Sequence, residues 1–346
     1  MKRLIWLGIV ALALIVTVQG CRKDPDLDAT ADAVRFRVPQ GWPQPMYLFI
    51  ANPLTKEGFE LGRRLFYDPR LSRDMSTSCG SCHQQFAAFA NADHIISHGV
   101  DGRLGSRNSP GIANMAWSPT LFWDGGVNHL ELQPIAPITN PLEMDVSLDT
   151  VVTRLQADPD MRARYLSAFG TDEITTQRTM WAMAQFMAMI ISDHSRYDQI
   201  SRGEEGTAFS ESESRGQMVF QQNCQSCHVP PLFTDFSFQN NGLAVTAAND
   251  SGRARITLLA DDLYKFKVPS LRNLSYTAPY FHDGRATTLD DVLNHYATGI
   301  HASPTLAPRL AGGVALTTQE RDDLKAFLKT LDDEVLLNDA RFSEVH

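Results

Sequence analysis

The order of apolar and polar residues divides the chain into a short charged-then-apolar leader, a polar and Pro-rich segment, and a long remainder in which helical periodicity dominates. Lys2 and Arg3 precede a run from Leu4 to Val18 that is apolar except for Gly8 and Thr17. That run has the length of a signal-peptide core and is shorter than the roughly 18 residues a spanning helix needs. From Arg22 to about Pro53 the residues are polar and then Pro-rich (Pro39, Pro43, Pro45), which predicts a tether followed by a strap over the surface. Near the C-terminus, Thr317 to Glu320 reads as a capping box, and Leu324, Phe327, Leu328 and Leu331 fall at i, i+3, i+4 and i+7, one apolar helical face. Thr175 to Ile191 opens with a similar Thr-Thr-Gln and runs on through Trp181, Phe186 and four methionines. A thioether stripe could ligate iron, but at helical spacing it reads as core. Extended runs are few, so the pattern predicts a mainly α protein with long Gly/Pro loops and little strand.

After the strap, the chain repeats itself. Cys79-Gly80-Ser81-Cys82-His83 returns 145 positions later as Cys224-Gln225-Ser226-Cys227-His228. At an ungapped offset of 159, Pro110, Asn114, Phe122, Asp124, Gly125 and Leu130 recur as Pro269, Asn273, Phe281, Asp283, Gly284 and Leu289. Two cytochrome-c-like halves related by internal duplication are expected, with divisions at 1–20 (leader), 21–53 (tether and strap), 54–200 and 201–346.

Composition narrows the class. With 346 residues, 43% apolar and 21% charged, the chain suits a soluble globular protein with room for two cores. Its 31 basic against 40 acidic residues give a net charge of −9, which disfavours a nucleic-acid partner and suits a basic protein or a small neutral substrate. Removing the leader takes away Lys2 and Arg3 and no acid, so the charge becomes −11. The five cysteines are an odd number, which no disulfide framework uses completely. Val18-Gln19-Gly20-Cys21 resembles the lipobox of bacterial lipoproteins, which makes Cys21 the odd cysteine, acylated at the new N-terminus. An uncleaved membrane anchor is the alternative, and either way the remainder lies outside the cytoplasm; the expected location is the periplasm, lipid-anchored to a bacterial membrane.

Cys-x-x-Cys-His twice in an exported chain reads as two c-type haem attachment sites. The spacing puts two thiols on one helical turn, where they can form thioethers with the haem vinyls, and the following histidine, His83 or His228, faces the iron. A four-cysteine zinc site would leave both histidines without a purpose and suits a reducing compartment better.

Several longer stretches carry a resemblance to a known family: Phe66-Tyr67-Asp68-Pro69-Arg70-Leu71-Ser72, Arg107-Asn108-Ser109-Pro110, Phe122-Trp123-Asp124-Gly125, Asn140-Pro141-Leu142-Glu143-Met144, and Val268-Pro269-Ser270-Leu271-Arg272-Asn273 leading to Ala278-Pro279-Tyr280-Phe281-His282-Asp283-Gly284. From about Leu54 onward the chain resembles the dihaem bacterial cytochrome c peroxidases and their MauG-type relatives. The resemblance implies two haem c groups, a peroxidatic one in the N-terminal half and an electron-transfer one in the C-terminal half. It assigns Gln133 and Glu143 to the distal pocket of the first haem, the glutamate moving a proton between peroxide oxygens, and Trp123 to the space between the haems as an electron relay. It implies an inter-haem calcium ion held by Asn108 and the carbonyls of Thr277 and Pro279, an oxygen-only set of the kind that ion takes. Many relatives dimerise, so a homodimer is an open expectation.

Two departures from the family pattern bear on function. Counting back from Trp123, the distal histidine of the family falls at Val100, which cannot ligate iron; His98, or more weakly His94, could do so after a loop shift. The first haem is then expected to be five-coordinate as made. Counting on from Thr277 and Pro279, the methionine ligand of the second haem falls at Tyr296, as in the MauG type. His295 is adjacent but points about 100° away on a helix, and Tyr296 is favoured. The first expected function is reduction of hydrogen peroxide to water, with electrons from a small donor protein such as a cytochrome c or cupredoxin. The alternative is a MauG-like peroxide-dependent oxidase acting on a partner protein, and a non-enzymatic electron carrier is the third.

Overall fold

A computed structural model of the chain describes residues 34–345, positions 93 and 247 excepted. The leader, Cys21 and the start of the tether lie outside the described residues. The fold is mainly helical, and the only sheet among the described residues pairs Phe238–Gln239 with Phe266–Lys267 antiparallel, Phe238 opposite Lys267.

Local rules account for the principal helices. Thr55 caps the Lys56–Phe66 helix by accepting from Gly58 N, and the helix buries Phe59, Leu61, Leu65 and Phe66. The Thr175 cap accepts from Arg178 N and starts the Thr176–Ala188 helix, which ends three residues before the expected Ile191. The capping box at Thr317 and Glu320 is present and opens the Thr318–Lys329 helix. The four methionines Met180, Met183, Met187 and Met189 are all buried in the first core, as helical spacing predicted.

The same helix crossing occurs twice. The Lys56–Phe66 helix lies on the Thr176–Ala188 helix at Gly62, where a Cβ would sit 1.9 Å from Ala182 O and 2.9 Å from Phe186 Cβ. The Glu211–Asn223 helix lies on the Thr318–Lys329 helix at Gly216, where a Cβ would sit 1.9 Å from Asp323 O and 2.9 Å from Phe327 Cβ. Only a hydrogen permits backbones to approach this closely. The loop positions repeated in sequence also share geometry. Asn114 and Asn273 have φ of 63° and 64°, and their Oδ1 atoms accept from Ser192 N and Asp333 N. Phe122 and Phe281 have φ of 67° and 69° inside loops closed by the bridges Leu121 with Val127 and Tyr280 with Ala286.

Two apolar clusters result. One gathers Phe66, Phe89, Tyr165 and Phe186 with many aliphatic neighbours; the other gathers Phe220, Phe233, Leu324, Phe327 and Leu331. The chain crosses between them at its ends. Leu336 and Phe342, far into the C-terminal half by sequence, are buried in the first cluster, and Tyr67 donates to Phe342 O at 2.7 Å. The strap residues from 34 to 53 form no helix or strand; Trp42 packs edge-on against Trp117 and lies under the Arg272 guanidinium. Arg272 itself is buried, paired with Asp198 at 2.7 Å.

Candidate functional site

A single cavity of about 1090 Å³ is lined by both Cys-x-x-Cys-His motifs. In the first, Cys79–Cys82 is one turn of helix begun by Ser78, and His83 follows it directly. In the second, the Glu211–Asn223 helix runs into Cys224, and Cys227 N and His228 N both return to Cys224 O to form the turn. Among the described residues the four cysteines form no disulfide, and no group of three or more His, Cys, Asp or Glu side chains is placed to hold a metal ion. The two pairs therefore do not converge on a four-cysteine zinc site.

The histidines are oriented for one task. His83 Nδ1 lies 2.9 Å from Phe89 O, and His228 Nδ1 lies 3.1 Å from both Phe233 O and Pro269 O. Carbonyls only accept, so Nδ1 carries the proton and Nε2 keeps its lone pair for an iron. Burial pushes both rings toward the neutral form that ligation requires. Burial also pushes the Cys79 thiol up to about 12 and Cys224 up to about 11, so neither is a ready thiolate in the folded chain. Paired thiols on a turn, an oriented neutral imidazole and a largely apolar cavity wall fit covalently held haem at both ends.

Glu143 and Gln133 both line the cavity. Ahead of Glu143 the chain forms a short helix, Ile135–Thr139, with Pro134 as its cap residue. Asn140 ends it, donates Nδ2 to Glu143 Oε1 at 3.0 Å and accepts from Leu142 N. Burial raises the Glu143 carboxyl above the usual carboxylate range, and the Asn140 bond partly opposes that. Cys79 and Cys82 in turn feel the Glu143 charge, which places the carboxylate at the first attachment motif.

The distal position differs from the expectation. Val100 is 1% exposed, is absent from the cavity wall, and donates its N–H to Glu143 O at 2.8 Å. His98, with Ser97 and Gly105 of the same loop, is on the cavity wall; Cys82 Sγ lies 3.7 Å from its carbonyl and the exposed His94 ring 3.9 Å from its own. An irregular loop has no fixed period, so an ungapped count cannot tell which of its residues turns inward.

At the second motif, Tyr296 lines the cavity while His295 does not. His295 Nε2 is engaged with Asn241 O at 2.9 Å. Burial pushes the Tyr296 phenol up to about 12, and a side-chain hydrogen bond with Asn241 partly opposes that. Trp123, Asn108, Thr277 and Pro279 also line the cavity. Trp123 Nε1 donates to Asn108 O at 2.9 Å. The Asn108 Nδ2 donates to Ile95 O, which leaves its Oδ1 as the acceptor able to face a cation.

Sequence reasoning missed two cations here. Arg107 is held between Asp124 and Asp250, both at 2.6 Å. Lys267 lines the cavity, donates to Thr120 O and Ser118 Oγ, and is pushed down to about 8 by burial. Arg107 stood inside a recognised stretch and could have been found; nothing in the pattern around Lys267 marks it.

Comparison with known proteins points to one family. A family model described as di-haem cytochrome c peroxidase matches residues 56–206. The methylamine utilization protein MauG of Methylorubrum extorquens is 37% identical over 88% of this chain and 85% of its own length. Cytochrome c551 peroxidase of Nitrosomonas europaea is 33% identical over 81% of each. A crystal structure of a MauG-like protein associated with microbial copper homeostasis superposes with a TM-score of 0.83 at 35% identity, over 90% of this chain and 99% of that one.

Proposed function

The chain belongs to the di-haem cytochrome c peroxidase family of oxidoreductases, and on that premise we propose that it reduces hydrogen peroxide to water in its N-terminal half with electrons delivered through its C-terminal half. Cys79, Cys82 and His83 would hold the first haem c, and Cys224, Cys227, His228 and Tyr296 the second. The observation that carries the reading is the shared cavity: both attachment motifs, the Glu143 carboxylate and the Trp123 indole all line it.

Bound haem supplies a redox-active iron at each end. The chain's own residues supply the proton and the path. Asn140 occupies Glu143 Oε1, so Oε2 is the atom available to take a proton from the near oxygen of peroxide and return it to the far one. Gln133 shares that wall and can orient the peroxide. Trp123, fixed by its bond to Asn108 O, offers a π-system for electron transfer between the halves. Asn108 Oδ1 with the carbonyls of Thr277 and Pro279 suits a calcium ion. The recurrent helix crossings and paired asparagines support two halves of duplicated origin. The leader and Cys21 support export and lipid attachment to a bacterial membrane, facing the periplasm.

Tyr296 favours a second reading. A phenolate is a hard anionic ligand that stabilises the more positive iron and disfavours a high-potential electron-entry site. In that reading the chain stores oxidising equivalents from peroxide and spends them on a partner protein, as a MauG-like oxidase. Stopped-flow mixing of the as-isolated protein with peroxide tests both. A Soret change followed by rapid turnover with reduced cytochrome c or cupredoxin supports the peroxidase. A state that persists until a protein substrate is added supports the oxidase. No change until a reductant is supplied would overturn the open first site and point to His98 as its sixth ligand.

A further inference from the structure

Behind the cavity wall, two readily oxidised side chains meet on one carboxylate. Tyr47, in the strap, donates its hydroxyl to Glu131 Oε1 at 2.7 Å, and Trp181, in the Thr176–Ala188 helix, donates Nε1 to Glu131 Oε2 at 3.0 Å. Tyr47 is 8% exposed. Asn52 Nδ2 donates to the phenol oxygen at 2.9 Å and to Trp181 O, and Gln185 Nε2 donates to Asn52 Oδ1. The group is close to the cavity by chain connection on three sides. Tyr47 N donates to Ala116 O, next to the wall residue Met115; Gln133, two positions after Glu131, lines the wall; so does Met187 of the Trp181 helix.

Anchoring the strap would need only hydrogen bonds. The chemistry of these three side chains goes further. Removing one electron from a phenol leaves a strongly acidic radical cation, so the oxidation becomes accessible when a base already sits within about 2.6–3.2 Å of the phenol proton. Glu131 is such a base and is shared with an indole. Burial, followed by the bond to Glu131, holds the Tyr47 phenol above its usual range, so it keeps its proton until it is oxidised. His129 leads outward, with a half-exposed ring 5.8 Å from Tyr47 and Nδ1 3.8 Å from Glu131 Oε2.

We propose that Tyr47, Glu131 and Trp181 form a redox site that takes an oxidising equivalent from the N-terminal haem after peroxide has reacted there. One electron passes from Tyr47 to the oxidised haem, the phenol O–H breaks, and the proton moves to Glu131 Oε1, leaving a neutral tyrosyl radical and a protonated carboxyl. Trp181 is a second one-electron donor on the same carboxylate. An electron arriving through the C-terminal half, with return of the proton, restores the phenol. The site would hold the equivalent when no donor is bound. It rests on the peroxide reading above.

The test is freeze-quenched electron paramagnetic resonance of the holoprotein mixed with hydrogen peroxide without reductant, with the optical spectrum of the same mixture. A Soret change accompanied by a tyrosyl signal that narrows on ring-deuterated tyrosine is expected. That signal should fall at least tenfold in Tyr47→Phe, which keeps the ring packed on Phe49, and in Glu131→Gln, with haem content unchanged. A wild-type Soret change without a tyrosyl signal, or a signal undiminished in either variant, would overturn the inference while leaving the peroxide reading intact. Absence of any Soret response both in this mixture and after prior reduction by a donor would remove the peroxide reading and this inference with it. A variant that melts earlier yet keeps the full radical yield would mark the trio as a strap anchor and overturn the redox role.

Discussion

Burial disfavours the ionised form of Glu143, and the side-chain hydrogen bond it accepts from Asn140 favours that form. The sign for catalysis follows. In the proposed role Glu143 must be ionised to take the first proton, so activity should be lost as pH falls through a pKa lying above the ordinary 4.5. Asn140→Ala removes the bond that stabilises the anion and should move this acid limb to higher pH. Glu143→Gln should abolish the limb and slow peroxide turnover by about 10²–10⁴. Both are read from turnover rate against pH. If Tyr296 holds the second haem as proposed, Tyr296→Met exchanges an anionic ligand for a thioether and should raise that haem's potential by on the order of 0.1 V, a fraction of the roughly 0.8 V that axial ligands span. Potentiometric titration checks it, and an unaltered potential and spectrum would return the assignment to His295.

Two helix pairs carry the scaffold, and each is set by a glycine at its crossing. A methyl group at Gly62 or Gly216 would have to displace the carbonyl of Ala182 or Asp323, backbone that cannot rotate away. Gly62→Ala and Gly216→Ala should each cost about 1–3 kcal/mol or more, as overpacking does, seen as a lower denaturant midpoint. Thr317→Ala, which removes the cap but leaves the crossing intact, should cost about 1 kcal/mol. The larger loss at the glycines would confirm that close approach, and not helix propensity, governs these elements.

Across the whole molecule, the strap and both apolar clusters converge on Arg272. Its guanidinium pairs with Asp198 through two bonds of 2.7 and 2.8 Å, donates to Pro231 O, and stacks on Trp42 at 4.8 Å. Arg272→Ala leaves Asp198 buried without its partner and should cost about 3–5 kcal/mol, measured by thermal or denaturant unfolding. Trp123→Phe, by contrast, should leave haem content and stability close to wild type and slow electron exchange between the halves, read by stopped-flow after reduction of one end.

Some of this was legible without a structure because its causes are local. Cys-x-x-Cys-His forms its turn from five consecutive residues and the caps at Thr175 and Thr317 act over three; the repeated Asn positions, by contrast, share a left-handed φ that distant Ser192 and Asp333 help to hold. The methionine stripe read as core for a local reason: period alone assigns a helical face. What depends on segments far apart in the chain was decided only by packing. The return of Leu336 and Phe342 to the first cluster, the meeting of Tyr47 with Glu131 and Trp181, and the presence of His98 on the cavity wall from which Val100 is absent follow from which side chains the folded chain can bury together. No local pattern encodes that choice, since burial is a property of the assembled core and irregular loops carry no period from which to read it.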